Sequence, residues 1–106
     1  MKEYYLGKSK EEALRLLPEN KIIEFPTGEE SIAVLRTADA IYAFEASCPH
    51  RGASLLQGSL HGSEELICPL HRYRFDLKTG QVLAGFCGDL TIYPTELTER
   101  GLKILC

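Results

Sequence analysis

Apolar and polar positions follow a period of two over several short stretches. Lys21 to Phe25 reads as a strand closed by Pro26-Thr27-Gly28. Ser31 to Arg36 alternates around Ile32 and Val34, and Ile41 to Glu45 around Tyr42 and Phe44, with Thr37 to Ala40 as a tight connection. This period puts one set of side chains on one face of a pleated strand. Glu65-Leu66-Ile67 forms a strand running into Cys68. Tyr73 to Leu77 forms another, turning through Lys78-Thr79-Gly80 into Gln81-Val82-Leu83. Leu90 to Tyr93 and Leu102 to Leu105 complete the pattern, joined through Glu99-Arg100-Gly101. A helical period is expected only near the start. There Ser9-Lys10-Glu11-Glu12 makes a capping box with Glu12 reaching back, Ala13, Leu14, Leu16 and Leu17 supply an apolar side, and Pro18 is the stop. The expected fold class is all-β, an antiparallel β-sandwich or small barrel with one short N-terminal helix. From Ser47 to Ser63 the periodicity lapses around Gly52, Gly58 and Gly62, so loops are expected there.

The 106 residues suit a single domain, 1–106. A net charge of −3 argues against nucleic acid as a partner, because phosphate binding needs a concentrated basic surface. No apolar run approaches the roughly 18 residues that span a bilayer, so no membrane partner is expected. Lys2 and Glu3 interrupt the place where an export signal would carry its apolar region. A cytoplasmic location is therefore expected. In a reducing compartment, clustered Cys and His read as metal ligands rather than disulfides.

Cys48 and Cys68 each have a histidine close by, in Cys48-Pro49-His50-Arg51-Gly52 and Cys68-Pro69-Leu70-His71. Cys87 and Cys106 have none and read as bystanders; His61 reads as a surface residue. Two thiolates and two imidazoles complete a ligand shell for zinc or for a mixed-ligand iron–sulfur centre. Each loop offers one Cys and one His, so two loops could grip a centre from opposite sides. Pro49 and Pro69 stiffen them.

These loops resemble the two cluster loops of the Rieske family, and Cys-Pro-His-Arg-Gly is characteristic wording of its ferredoxin-type members. Arg74-Phe75-Asp76-Leu77-Lys78-Thr79-Gly80 is similar to the stretch after the second loop in that family. The resemblance is close from about Ala43 to Gly80. It implies a Rieske-like fold with a cluster-binding subdomain at approximately 46–83 and one [2Fe-2S] cluster per chain. Cys48 and Cys68 would hold one iron, and His50 and His71 the outer one, which takes the electron. Two thiolates cancel the two positive charges of the oxidised core, so reduction starts from a neutral site. His ligation accordingly raises the potential to about −150 to +300 mV, against about −400 mV for plant-type ferredoxins.

High-potential relatives carry an extra Cys in each loop, where this chain has Ala53 and Leu70. They also carry a Ser two residues and a Tyr four residues after the second His, where this chain has Tyr73 and Phe75. Fewer hydroxyl donors to sulfur leave the reduced cluster less stabilised, and a potential on the order of −150 mV is expected. Two departures stand out. Many relatives have Gly directly after the second His, where this chain has Arg72. The family's Pro-bearing shielding loop is replaced by Leu83-Ala84-Gly85-Phe86-Cys87-Gly88, in which Phe86 could take over the shielding.

The function the resemblance implies is that of an electron carrier between a reductase and an oxygenase or other terminal oxidoreductase, without substrate turnover of its own. Alternatives are the small accessory subunit of a nitrite-reductase-like enzyme, and a Cys2His2 zinc-stabilised interaction module. Arg51, Arg72 and Arg74 form either a solvated rim or a basic collar that steers an acidic redox partner. If the outer nitrogens of His50 and His71 face solvent, the midpoint potential should fall with pH at alkaline values.

Overall fold

The computed structural model describes residues 2–28, 31–38, 40–48, 54–62, 64–69, 72–85 and 88–105. Its strands are β1 (Glu3–Leu6), β2 (Ile22–Pro26), β3 (Ser31–Arg36), β4 (Ile41–Glu45), β5 (Ser59–His61), β6 (Glu65–Ile67), β7 (Arg74–Asp76), β8 (Val82–Ala84), β9 (Ile92–Tyr93), β10 (Thr95–Thr98) and β11 (Gly101–Leu105). The helix α1 (Lys10–Leu16) and a 3₁₀ turn (Leu55–Gln57) complete the described elements. The strands form three antiparallel sheets, ordered β1-β11-β10, β2-β3-β4-β9 and β5-β6-β7-β8.

The second sheet is the central layer. Along β3, Ile32 and Val34 enter one buried cluster with Leu6, Ala13, Leu17, Ala43, Leu102 and Ile104. The intervening Ala33 and Leu35 enter another with Phe44, Leu55, Leu66, Phe75 and Leu77. Successive side chains leave a strand on opposite faces, so β3 feeds two cores and is apolar at every interior position. One core packs against α1 and the β1-β11-β10 sheet. The other packs against the β5-β6-β7-β8 sheet and contains both Cys48 and Cys68.

The capping box forms with one change. Ser9 Oγ accepts the Glu12 N–H at 3.1 Å as expected, but Glu12 Oε1 accepts the N–H of Lys8, one residue before the cap, at 3.2 Å. At the other end, Arg36 Nη1 donates to the carbonyls of Leu14 and Leu17 at 3.2 and 3.3 Å, the first of which also accepts the Leu17 N–H at 3.3 Å. Ala13 and Leu17, one helical turn apart, are buried, whereas Leu16 is 46% exposed. The apolar side of the helix is therefore narrower than its leucines suggest.

One expected pairing is corrected. Residues 90–93 do not turn back onto Leu102 to Leu105. Ile92–Tyr93 pairs with β4, and the partner of β11 across the Glu99-Arg100 turn is Thr95–Thr98. Pro94 has no N–H to donate and separates the two strands. Thr95 Oγ1 then donates to the Ile41 carbonyl at 3.1 Å, tying β10 to β4.

Candidate metal centre

Two segments, 47–54 and 68–73, are each closed at their described ends by backbone contacts. For the first, Ser47 bridges Ser54 and the Leu55 N–H donates to the Ala46 carbonyl at 2.7 Å. Ser54 Oγ then accepts the Leu56 N–H at 3.3 Å, which caps the 3₁₀ turn and anchors buried Leu55 in the core. The intervening 48–53 segment starts with Cys48. For the second, β6 and β7 pair Leu66 with Phe75 and Ile67 with Arg74, and the Cys68 N–H donates to the Tyr73 carbonyl at 2.7 Å. The second loop is therefore closed between Cys68 and Tyr73.

Cys48 and Cys68 are 2% and 0% exposed, belong to the same apolar cluster, and are not halves of a disulfide. Soft sulfur donors on pinned necks, removed from water, suit a thiophilic metal centre whose positive charge offsets the desolvated thiolates. His50, His71 and Arg51 lie outside the described residues, as do Ala53, Leu70, Phe86, Cys87 and Cys106. His61 is exposed on β5, opposite Glu65.

Arg72 is exposed and has φ of 55°, in the left-handed region. A glycine is the residue of least strain there. Arg74 Nη1 lies 3.4 Å from Glu65 Oε1, so its charge has a neighbour of opposite sign. The strand pairing shifts between β7 and β8. Arg74 pairs with Ala84 and Phe75 with Val82, leaving Leu83 as the extra residue of a bulge, 44% exposed.

Two residues of the site had no role in the sequence reading. Gly85 follows β8 with φ of 122°, and a Cβ on it would lie 2.5 Å from Cγ and Cε2 of the Tyr73 ring. The ring therefore packs against Gly85 in the space a side chain would take. The available signal was a glycine in the stretch where the family keeps a shielding loop. Glu65 as the neighbour of Arg74 carried no signal beyond strand register.

Three antiparallel sheets with two buried, unbridged cysteines in one core make a small β protein, and among the described residues these two thiols are the donors a metal centre would use. The Rieske [2Fe-2S] domain model matches residues 7–94. The chain is 33% identical over 89 residues to the ferredoxin component of the naphthalene 1,2-dioxygenase/salicylate 5-hydroxylase systems of Ralstonia, covering 83% of this chain and 85% of that one. It is 34% identical over 89 residues to the 3-phenylpropionate/cinnamic acid dioxygenase ferredoxin subunit of Shigella boydii, covering 83% of each. Its fold superposes on the ferredoxin of carbazole 1,9a-dioxygenase from Nocardioides aromaticivorans with a TM-score of 0.81, at 24% identity over 99% of this chain and 98% of that one.

The chain belongs to the Rieske [2Fe-2S] family. It carries a [2Fe-2S] cluster and is an electron-transfer protein, not an enzyme with substrate turnover of its own. The zinc-module alternative falls with that assignment. The two buried thiols fit the cluster, since sulfur is the donor that iron–sulfur centres require of a protein.

Proposed function

We propose that Cys48 and Cys68 hold one iron of the cluster through sulfur, and that His50 and His71 hold the other through imidazole nitrogen. The observation that carries this reading is the placement of both cysteines in one core, each at the neck of a pinned loop. Each of those loops also contains a histidine at short spacing. When bound, the cluster supplies one-electron redox chemistry near a neutral site charge. The protein's part is to keep the thiolates dry and to stiffen the loop necks, which limits rearrangement on a change of redox state.

The same reading makes the whole chain one domain, with a cluster-binding subdomain at approximately 46–83. Its similarity to ferredoxin components of dioxygenase systems supports a place between a reductase and a terminal oxygenase. Arg51, Arg72 and Arg74 would face those partners at the cluster end. Among the described residues no helix is long and apolar enough to cross a membrane; the reading assigns the protein to the cytoplasm.

The deciding experiment is EPR of the dithionite-reduced protein after anaerobic purification, with iron and acid-labile sulfide analysis. The expected result is equal iron and sulfide and an average g below that of an all-thiolate cluster. Colourless protein, or a spectrum of the all-cysteine type, would refute the ligand set.

A further inference from the structure

We propose that the Tyr73 ring is a positioning brace. It fixes the neck of the second loop against Gly85 at the end of β8, and so holds Cys68 in place. The inference rests on the ligand reading above.

Three observations converge on this side chain. The Tyr73 carbonyl accepts the Cys68 N–H at 2.7 Å, so the residue that closes the loop is hydrogen-bonded to a proposed ligand. Its ring is half-buried and packs on the apolar cluster that contains Cys48 and Cys68. It also meets Gly85, where the backbone has φ of 122° and the ring fills the space a Cβ would take. That conformation belongs almost wholly to glycine, and a close backbone approach is one of the few reasons a chain adopts it. The bulge at Leu83 shifts the β7–β8 register, and pairing resumes at Arg74–Ala84, which brings Gly85 opposite Tyr73. The ring thus joins the loop neck to Gly85.

The contact has a consequence that a plain core aromatic lacks. The shell around an iron–sulfur centre sets solvent access and local dielectric, and these control both cluster retention and potential. Removing the ring, or pushing it aside with a Cβ at Gly85, loosens the same joint, and the alanine adds backbone strain of its own at φ of 122°. The shared contact is lost only once, so the double variant should fall short of the product of the single effects.

The test uses the holoprotein and the variants Tyr73→Phe, Tyr73→Leu, Gly85→Ala and the Tyr73→Leu/Gly85→Ala double variant. Iron and labile sulfide are first measured in the wild type; their absence there refutes the ligand reading rather than the brace. Cluster loss to an iron chelator is followed by visible absorbance, the reduced protein by EPR, and folding by far-UV circular dichroism. Tyr73→Phe keeps the ring and should retain the cluster better than Tyr73→Leu. Tyr73→Leu and Gly85→Ala should each hasten cluster loss roughly tenfold, with altered EPR line shape, and the double variant should fall short of the product of the two effects. Wild-type retention in Tyr73→Leu, or multiplying effects in the double variant, overturns the proposal. Should Tyr73→Leu fail to fold, Gly85→Ala tests the same contact alone, and wild-type retention there overturns it equally.

Discussion

Across the β6–β7 ladder, the Arg74 guanidinium stands 3.4 Å from the Glu65 carboxylate, whereas Arg72, two residues earlier, is exposed with its chain in a left-handed turn. The arginines of the proposed rim are therefore not equivalent. Part of the field of Arg74 is cancelled locally. The check is stopped-flow oxidation of the reduced protein by ferricyanide, a small anion, over a range of ionic strength. Arg72→Gln should lower the low-salt rate by about twofold and Arg74→Gln by less, while Glu65→Gln should raise it. All four proteins should converge at high salt, where the charges are screened. An Arg74→Gln effect as large as that of Arg72→Gln would show that Glu65 does not mute the charge.

The backbone at Arg72 supports a second prediction that runs against the first. A non-glycine residue at φ of 55° bears a steric cost of about 1–2 kcal/mol, and glycine returns part of that benefit through a freer unfolded chain. Arg72→Gly should therefore stabilise the fold by about 0.5–1 kcal/mol while losing rim charge. Denaturant midpoints at unchanged slope measure the first effect, and ferricyanide kinetics the second. A lower midpoint would mean that the arginine side chain makes a contact worth more than the strain.

These two positions show what was legible in the chain and what was not. The paired Cys and His spacing pointed to the cluster because ligand chemistry is written in local sequence. The departure at Arg72 was also visible, but its meaning, a left-handed backbone, exists only in the folded loop. Strand β3 was readable from its alternation, yet Ala33 and Leu35 are as buried as Ile32 and Val34 because the strand lies between two cores. Strands β1, β5 and β10 carried too little pattern to be read. Glu3–Leu6 holds a charge and two tyrosines, Ser59–His61 comes directly after a glycine, and Thr95–Thr98 is mostly polar. Each is held by its neighbour's ladder rather than by its own propensity. The contact between Tyr73 and Gly85 was beyond reach for a similar reason, since it joins segments that meet only through the bulge at Leu83.

The start of α1 offers a prediction distant from the cluster. Ser9 Oγ satisfies the Glu12 N–H, and α1 is a short helix, Lys10–Leu16, with little stability of its own. Ser9→Ala should cost about 1 kcal/mol, read as a lower denaturant midpoint. Because Ala13 and Leu17 pack in the core that does not contain the cysteines, the reduced EPR spectrum should not change. A changed spectrum would show that the two cores are coupled more tightly than their separate packing indicates.

Phe75 bears on the electron affinity of the site. It is fully buried, pairs with Leu66 in the ladder, and shares its core with Cys48 and Cys68. It also occupies the position where high-potential relatives place a tyrosine hydroxyl, so the wild-type midpoint is expected at about −150 mV. Phe75→Tyr adds a donor to the buried core that holds both cysteines. The hydroxyl must find an acceptor or destabilise the fold by about 1–3 kcal/mol. A hydrogen bond to sulfur favours the more negative reduced state. If that preference is about 1 kcal/mol, the midpoint rises by about 40 mV for a one-electron couple. Spectroelectrochemical titration of both proteins at one pH measures the shift. A midpoint that stays put or falls, in a variant that keeps its cluster, would show that the missing hydroxyl does not set the low potential.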